Sequence, residues 1–197
     1  MPGMVCLCCG AWGGGALCPA CLLTLEAAVD LRLAAGAVVH PALWHRGAAR
    51  VLVHRLKYQG LRAAAGPLAR AMAGRLSQAG CLLVPVPRVP VRKWRYGIDP
   101  AVELARALGA ETGRPVVHLL RPPWWSPPHA GRPRNRRGPL RFSADALPAE
   151  PGSVVLVDDV LTSGATLSAA YRALGVPATQ AVTATVSERF SHAATGA

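Results

Sequence analysis

The stretch Val154-Val-Leu-Val-Asp158-Asp159-Val160-Leu161-Thr162-Ser163-Gly164-Ala165-Thr166 constrains this chain more than any other. Val154–Val157 reads as a buried strand, because four consecutive apolar residues suit a sheet covered on both faces. Two carboxylates end it. A short turn of small and hydroxyl residues follows, and Thr166–Leu174 has helical spacing closed by Gly175. In open α/β sheets, ligands bind beyond the carboxyl ends of strands. The Thr162–Thr166 turn offers backbone N–H groups and hydroxyls at a helix N-terminus, which suits phosphate. Asp158 and Asp159 can accept hydrogen bonds from the vicinal hydroxyls of a ribose. One ligand satisfies both halves: a sugar ring over the acids, with its 5′-phosphate in the turn. A strand ending in Asp-Asp also fits a Walker B element, but the chain has no GxxxxGK[ST] loop. Apposed carboxylates repel unless a ligand or metal offsets the repulsion, which argues against two merely solvated acids.

The rest of the chain supports a sheet of this type. Residues 61–76 carry Leu61, Ala65, Leu68, Met72 and Leu76 at helical spacing, and Val51–Tyr58 reads as a helix end. Cys81–Val86 reads as a buried strand stopped by Pro85 and Pro87, with Cys81 as a core thiol. Asp99 and Pro100 are an N-cap and first-turn pair for a helix carrying Ala101, Leu104, Ala105 and Leu108. Gly113 and Pro115 end it, and Val116–Leu120 and Ala178–Val186 read as further strands. Strands alternating with helices predict a mainly parallel α/β sheet. Arg121–Arg141 is a long Pro- and Arg-rich loop.

Five of the six cysteines fall within the first 21 residues. Cys6-x-x-Cys9 and Cys18-x-x-Cys21 form two CxxC pairs, each aiming two thiolates at one point, as tetrahedral zinc requires. The segment is too short to bury a core, so a metal has to supply its folding energy. Disulfides fit less well, since no export signal accompanies them, and no strand precedes either pair as in a redox CxxC. Cys8 is surplus and competes with Cys9 as the ligand.

Composition narrows the class. Hydrophobic residues make up 51% and charged residues 16%, against a usual charged share near 25%. Such a chain is not disordered. The longest apolar run, near 33–44, is shorter than the roughly 20 residues a spanning helix needs. With no secretory signal either, the expected compartment is the cytoplasm. The net charge is +12, and residues 88–141 hold 12 Lys+Arg against 3 acids. This field either attracts a polyanion (nucleic acid, an anionic membrane or a phosphorylated metabolite) or serves solubility. Trp124 and Trp125 stand among Arg121, Arg132, Arg134, Arg136 and Arg137. That set can stack bases and neutralise phosphates of single-stranded DNA, or the tryptophans can pack into the core. His129 in the same loop is a solvated residue or an acid–base group.

Val154–Thr166 matches the thirteen-residue signature for 5-phosphoribosyl 1-pyrophosphate (PRPP) in type I phosphoribosyltransferases. The wider pattern resembles the ComF (competence protein F-like) family. The resemblance rests on the CxxC pairs, Leu56-Lys57-Tyr58-Gln59-Gly60, Val84-Pro85-Val86-Pro87 before a basic run, Arg134-Asn135 with Gly138, and the signature. It covers nearly the whole chain. One departure is plain. ComF relatives typically carry Arg-Gly-Phe-Asn-Gln where this chain has Arg95-Tyr96-Gly97-Ile98-Asp99-Pro100.

The resemblance implies a type I phosphoribosyltransferase-like parallel sheet flanked by helices, with a small N-terminal zinc-binding module. It divides the chain into a zinc module at 1–25, a helical connecting or hood region at 26–78, and a phosphoribosyltransferase-like domain at 79–197. It places Asp158 and Asp159 on the ribose hydroxyls, and the signature from Val160 through Thr166 around the 5′-phosphate. Pro85, Val86, Pro87 and Arg88 would face pyrophosphate. Arg88, Arg92, Lys93 and Arg95 would supply cationic groups there, or form a solvated basic loop. Mg²⁺ would arrive with PRPP, held chiefly by its oxygens. The implied activity is phosphoribosyl transfer to an acceptor, with release of pyrophosphate. The alternatives are a single-stranded-DNA-handling protein working with competence machinery, or a regulator that senses PRPP without turnover.

Overall fold

The computed structural model describes residues 4–33, 35–76, 80–90, 94, 96–123, 141–146, 153–175, 180–188 and 190. Its centre is a five-stranded sheet. In chain order the strands are β3 (Leu31–Arg32), β4 (Val38–Trp44), β5 (Leu82–Pro85), β8 (Val154–Leu161) and β9 (Gln180–Val186), and their spatial order is β3-β4-β9-β8-β5. β3 pairs with β4 antiparallel, and every other pairing is parallel. A mostly parallel sheet needs cover on both faces, and the side-chain alternation of β8 provides for it. Val155 and Val157 enter a core with α2 (Gly47–Gln59), α3 (Ala65–Ala73) and α4 (Pro100–Thr112). Val154 and Leu156 enter a second core with Leu167 and Ala170 of α5 (Ala165–Leu174). Leu52, Leu56, Leu68, Met72, Leu104 and Leu108 of the first helical layer are fully buried. Burying each such side chain stabilises the fold by about 2 kcal/mol.

The first 25 residues form a small module on that first core. β1 (Met4–Val5) and β2 (Trp12–Gly13) pair antiparallel, and the short α1 (Pro19–Leu22) follows. Cys6, Leu17 and Cys21 are buried in the core shared with α2 and α3. Thr24 ties the module to α2. Its hydroxyl donates to the Cys21 carbonyl at 2.8 Å and accepts from the Ala48 N–H at 2.9 Å. It thereby caps a helix whose own N-cap, Arg46, supplies no side-chain capping bond. Gly47 makes the close approach possible: its φ is +51°, and a Cβ there would lie 2.7 Å from the Thr24 carbonyl oxygen.

Several expectations change. The segment 26–78 is not only helical, because it supplies β3 and β4, and β4 sits inside the sheet against β9. The second part of the apolar run near 33–44, Val38–Trp44, is this strand. The expected strand at Val116–Leu120 reduces to a parallel bridge between Val116 and Leu83, followed by β6 (Leu120–Arg121), which pairs with β7 (Ser143–Ala144). Asp99 precedes α4 as expected but makes no side-chain cap; its carboxylate accepts from the Arg88 backbone N–H at 2.9 Å. Cys81 is fully buried. No helix among the described residues is long and apolar enough to cross a membrane.

Candidate functional site

β8 does not end at Val157. It continues to Leu161, so Asp158 and Asp159 lie within the ladder, with Asp158 opposite Thr183. The chain then turns through Thr162–Gly164 and enters α5 at Ala165. Gly164 has φ +70°, and a Cβ there would lie 2.7 Å from Leu33 Cδ2, so the turn passes tightly beneath the second core. Asp158 and residues Val160 to Leu167 line a small concavity at this point. The first-turn N–H groups of a helix have no intrahelical partner. Here they stand at a concavity that also bears the Thr162, Ser163 and Thr166 side chains. Such a wall attracts an anion with several acceptor oxygens.

The two acids have different surroundings. Asp158 lines the concavity, and its Oδ1 accepts the Asp159 N–H at 2.8 Å. Burial, reinforced by the Asp159 carboxylate, pushes the Asp158 carboxyl up to about 8, while Lys57 opposes the shift. Asp159 is buried and ion-paired. Lys57 Nζ, in the last turn of α2, donates to Asp159 Oδ1 at 2.9 Å and lies 2.7 Å from Oδ2. Burial would lower the Lys57 ammonium, but Asp159 and then Asp158 outweigh it and hold it above its usual value. The Lys57 ammonium therefore stays protonated beside Asp159.

The segment after β5 reaches the same place. Pro85 and Val86 are buried, and the Val86 N–H donates to Val157 of β8 at 2.9 Å, which carries the chain past Pro87 alongside the acids. Arg88 Nη1 donates to the Lys57 carbonyl at 3.3 Å, and its guanidinium stacks over Tyr96 at 5.4 Å. Tyr58 meets Tyr96 edge-on at 5.4 Å. The carboxyl ends of β5 and β8 and the last turn of α2 thus bring together Arg88, Lys57, Asp159 and Asp158. Lys57 is the member the residue-by-residue sequence reading gave no role. It stands 102 positions from its partner, and nothing in a helical pattern marks a lysine that reaches a distant strand.

The N-terminal cysteines form a second centre. The Sγ atoms of Cys6, Cys9, Cys18 and Cys21 all lie within 4.8 Å of one another, and Cys9 and Cys18 are 3.7 Å apart. Tetrahedral zinc with bonds near 2.3 Å sets S···S edges of about 3.8 Å, so the quartet could hold zinc. The electrostatics agree. Backbone N–H groups of Cys9 and Cys18 aimed at its sulfur bring the Cys6 thiol down to about 6, whereas burial and the neighbouring thiols push Cys21 up. A bound cation relieves that crowding. Cys8 lies outside the quartet, which favours Cys9 as the ligand.

Arg92, Lys93 and Arg95 lie outside the described residues, as do Trp124, Trp125, His129, Arg132, Arg134, Arg136 and Arg137. No protein-family model matches this chain, and no curated protein does either.

Proposed function

We propose that the chain binds PRPP and transfers its phosphoribosyl group, as a phosphoribosyltransferase of the ComF type. The observation that carries this reading is the convergence at the carboxyl ends of β5 and β8. An anion-suited turn and Asp158 lie on one side, and the Lys57–Asp159 pair and Arg88 on the other. The ribose 5′-phosphate fits the Thr162–Thr166 turn, and Asp158 accepts from the ribose hydroxyls. When the C1–O bond breaks, its electron pair leaves with pyrophosphate, and negative charge grows where Arg88 and Lys57 have already placed cations. Mg²⁺ bound with the ligand would sit chiefly on the ligand's own oxygens and neutralise part of that charge. PRPP with Mg²⁺ is expected to raise the melting temperature, and Asp158→Asn to remove that rise. An unchanged melting curve at millimolar PRPP refutes the reading.

A further inference from the structure

An arginine serves an anion best when its long side chain is already placed, because a flexible one loses rotamer freedom on binding. The segment that carries Arg88 offers few points at which to hold it. Pro85 and Pro87 have no N–H. The Val86 N–H donates to Val157 of β8, and the Arg88 N–H donates to Asp99 Oδ2 at 2.9 Å. Every main-chain donor of residues 85–88 is thereby used, and the last of them rests on one carboxylate. Arg88 is held at three points: its main chain by Asp99, its Nη1 by the Lys57 carbonyl at 3.3 Å, and its guanidinium by the face of Tyr96 at 5.4 Å.

Asp99 forgoes a local use to do this. It occupies the N-cap of α4, with Pro100 in the first turn, where an aspartate ordinarily accepts from the N–H of the second or third helical residue. This one makes no such bond. Its carboxylate turns instead to a main-chain N–H 11 residues earlier. Asp99 is only 6% exposed, so the bond is made away from water, where a charged acceptor counts most. Its charge also reaches the acids of β8: behind burial and Asp159, Asp99 is a further cause of the raised Asp158. Capping at a helix end is thus given up for order beside the site, a local departure of the kind that marks function.

Resting on the phosphoribosyltransferase reading, we infer that Asp99 is a positioning residue for the pyrophosphate side. It acts through Arg88 and not by contact with the ligand. By fixing the main chain of Arg88 it fixes where the guanidinium stands before pyrophosphate arrives. The 5′-phosphate turn at Thr162–Thr166 is built from another segment and does not depend on this tie.

The test uses the full chain and needs no acceptor. Calorimetry measures the binding of Mg²⁺-pyrophosphate and of ribose 5-phosphate, beside the melting shift by PRPP with Mg²⁺. Asp99→Ser is the informative variant. Serine is a good N-cap, but its hydroxyl lies one bond nearer its own backbone and falls short of Arg88. The start of α4 is kept and the tie is lost. The variant is expected to bind Mg²⁺-pyrophosphate on the order of 10-fold more weakly, the loss from ordering one long side chain on binding, and ribose 5-phosphate as wild type does. Asp99→Asn, whose amide oxygen still accepts the N–H, is expected to bind both at least as tightly as wild type. In an Arg88→Met background, Asp99→Ser should weaken pyrophosphate no further. Hydrogen exchange by NMR should show a protected Arg88 amide in wild type. Unchanged pyrophosphate binding in Asp99→Ser, equal loss for both ligands, a loss in Asp99→Asn, a further loss in the Arg88→Met background, or a fast-exchanging Arg88 amide each overturn the inference. So does a wild type that binds ribose 5-phosphate but not Mg²⁺-pyrophosphate. If Asp99→Ser fails to fold, Asp99→Asn and the exchange rate decide. A wild-type melting curve that PRPP leaves unshifted instead overturns the reading beneath.

Discussion

Lys57→Met separates a buried ion pair from a surface one. Among the described carboxylates Lys57 makes its direct ion pair with Asp159, at 2.7 and 2.9 Å, with side-chain exposures of 23% and 9%. Removing the ammonium leaves Asp159 charged and cut off from water. Breaking a fully buried pair on one side costs about 3–5 kcal/mol. The partial exposure of Lys57 places this one near the lower end, at about 3 kcal/mol. Asp159→Asn should cost less, about 1–2 kcal/mol, because Lys57 can swing its ammonium toward solvent. In the double variant a thioether meets a neutral amide, and no unpaired charge remains. Its cost should fall short of the sum of the single costs by about 2 kcal/mol. Urea unfolding of the four proteins at pH 7 and 25 °C gives the cycle directly, provided the m-values agree. Additivity within about 0.5 kcal/mol would mean that the pair is solvated and that the contact does not organise the site. Arg88 offers a second readout: it holds the Lys57 carbonyl rather than the side chain, so Arg88→Met should leave the coupling nearly intact.

Asp158 has the opposite sign. Its folded-state carboxyl keeps its proton to about 8, while the unfolded chain releases its proton near 4. The folded state therefore binds more protons between these values, and stability falls as pH rises through the window. Asp158→Asn should flatten that fall and stabilise the ligand-free protein at pH 8 by on the order of 2 kcal/mol, after allowance for partial exposure; equal pH profiles by urea unfolding contradict this. Zinc analysis of the purified chain should give one equivalent, retained in Cys8→Ser and lost in Cys9→Ser; loss from Cys8→Ser instead would reassign the ligand set. Gly47→Ala should destabilise by about 2 kcal/mol or more in urea unfolding, since the left-handed backbone disfavours a Cβ and the Thr24 carbonyl occupies its place. A neutral result would mean that the Thr24 link to α2 is loose.

What could be read in advance follows the range of the interaction that fixes each feature. The β8–turn–α5 unit is contiguous in the chain, and its apolar run, two acids and small turn residues suffice to mark a strand, a turn and a helix. Only the boundary moved, because Asp158 and Asp159 are polar yet still hold ladder positions opposite β9, where pairing rather than hydrophobicity decides strand length. The CxxC spacings likewise contain their own geometry, and folding separated Cys9 from Cys8 by turning the 6–10 loop around the Cys6 sulfur. β4 was missed for the converse reason. Val38–Trp44 contains His40 and Pro41 and has no clean period, and its place beside β9 is set by a partner 142 residues away (Val39 with Ala181). Lys57 belongs to this second kind. It is an ordinary residue in a helix's last turn. It acquires its partner only because α2, starting beyond β4, crosses β9 to bring that turn to Asp159 of β8. The crossing brings three distant segments to one carboxyl end, so the chemical partners of Asp159 are set by topology, whereas the turn that would take the phosphate is set by sequence.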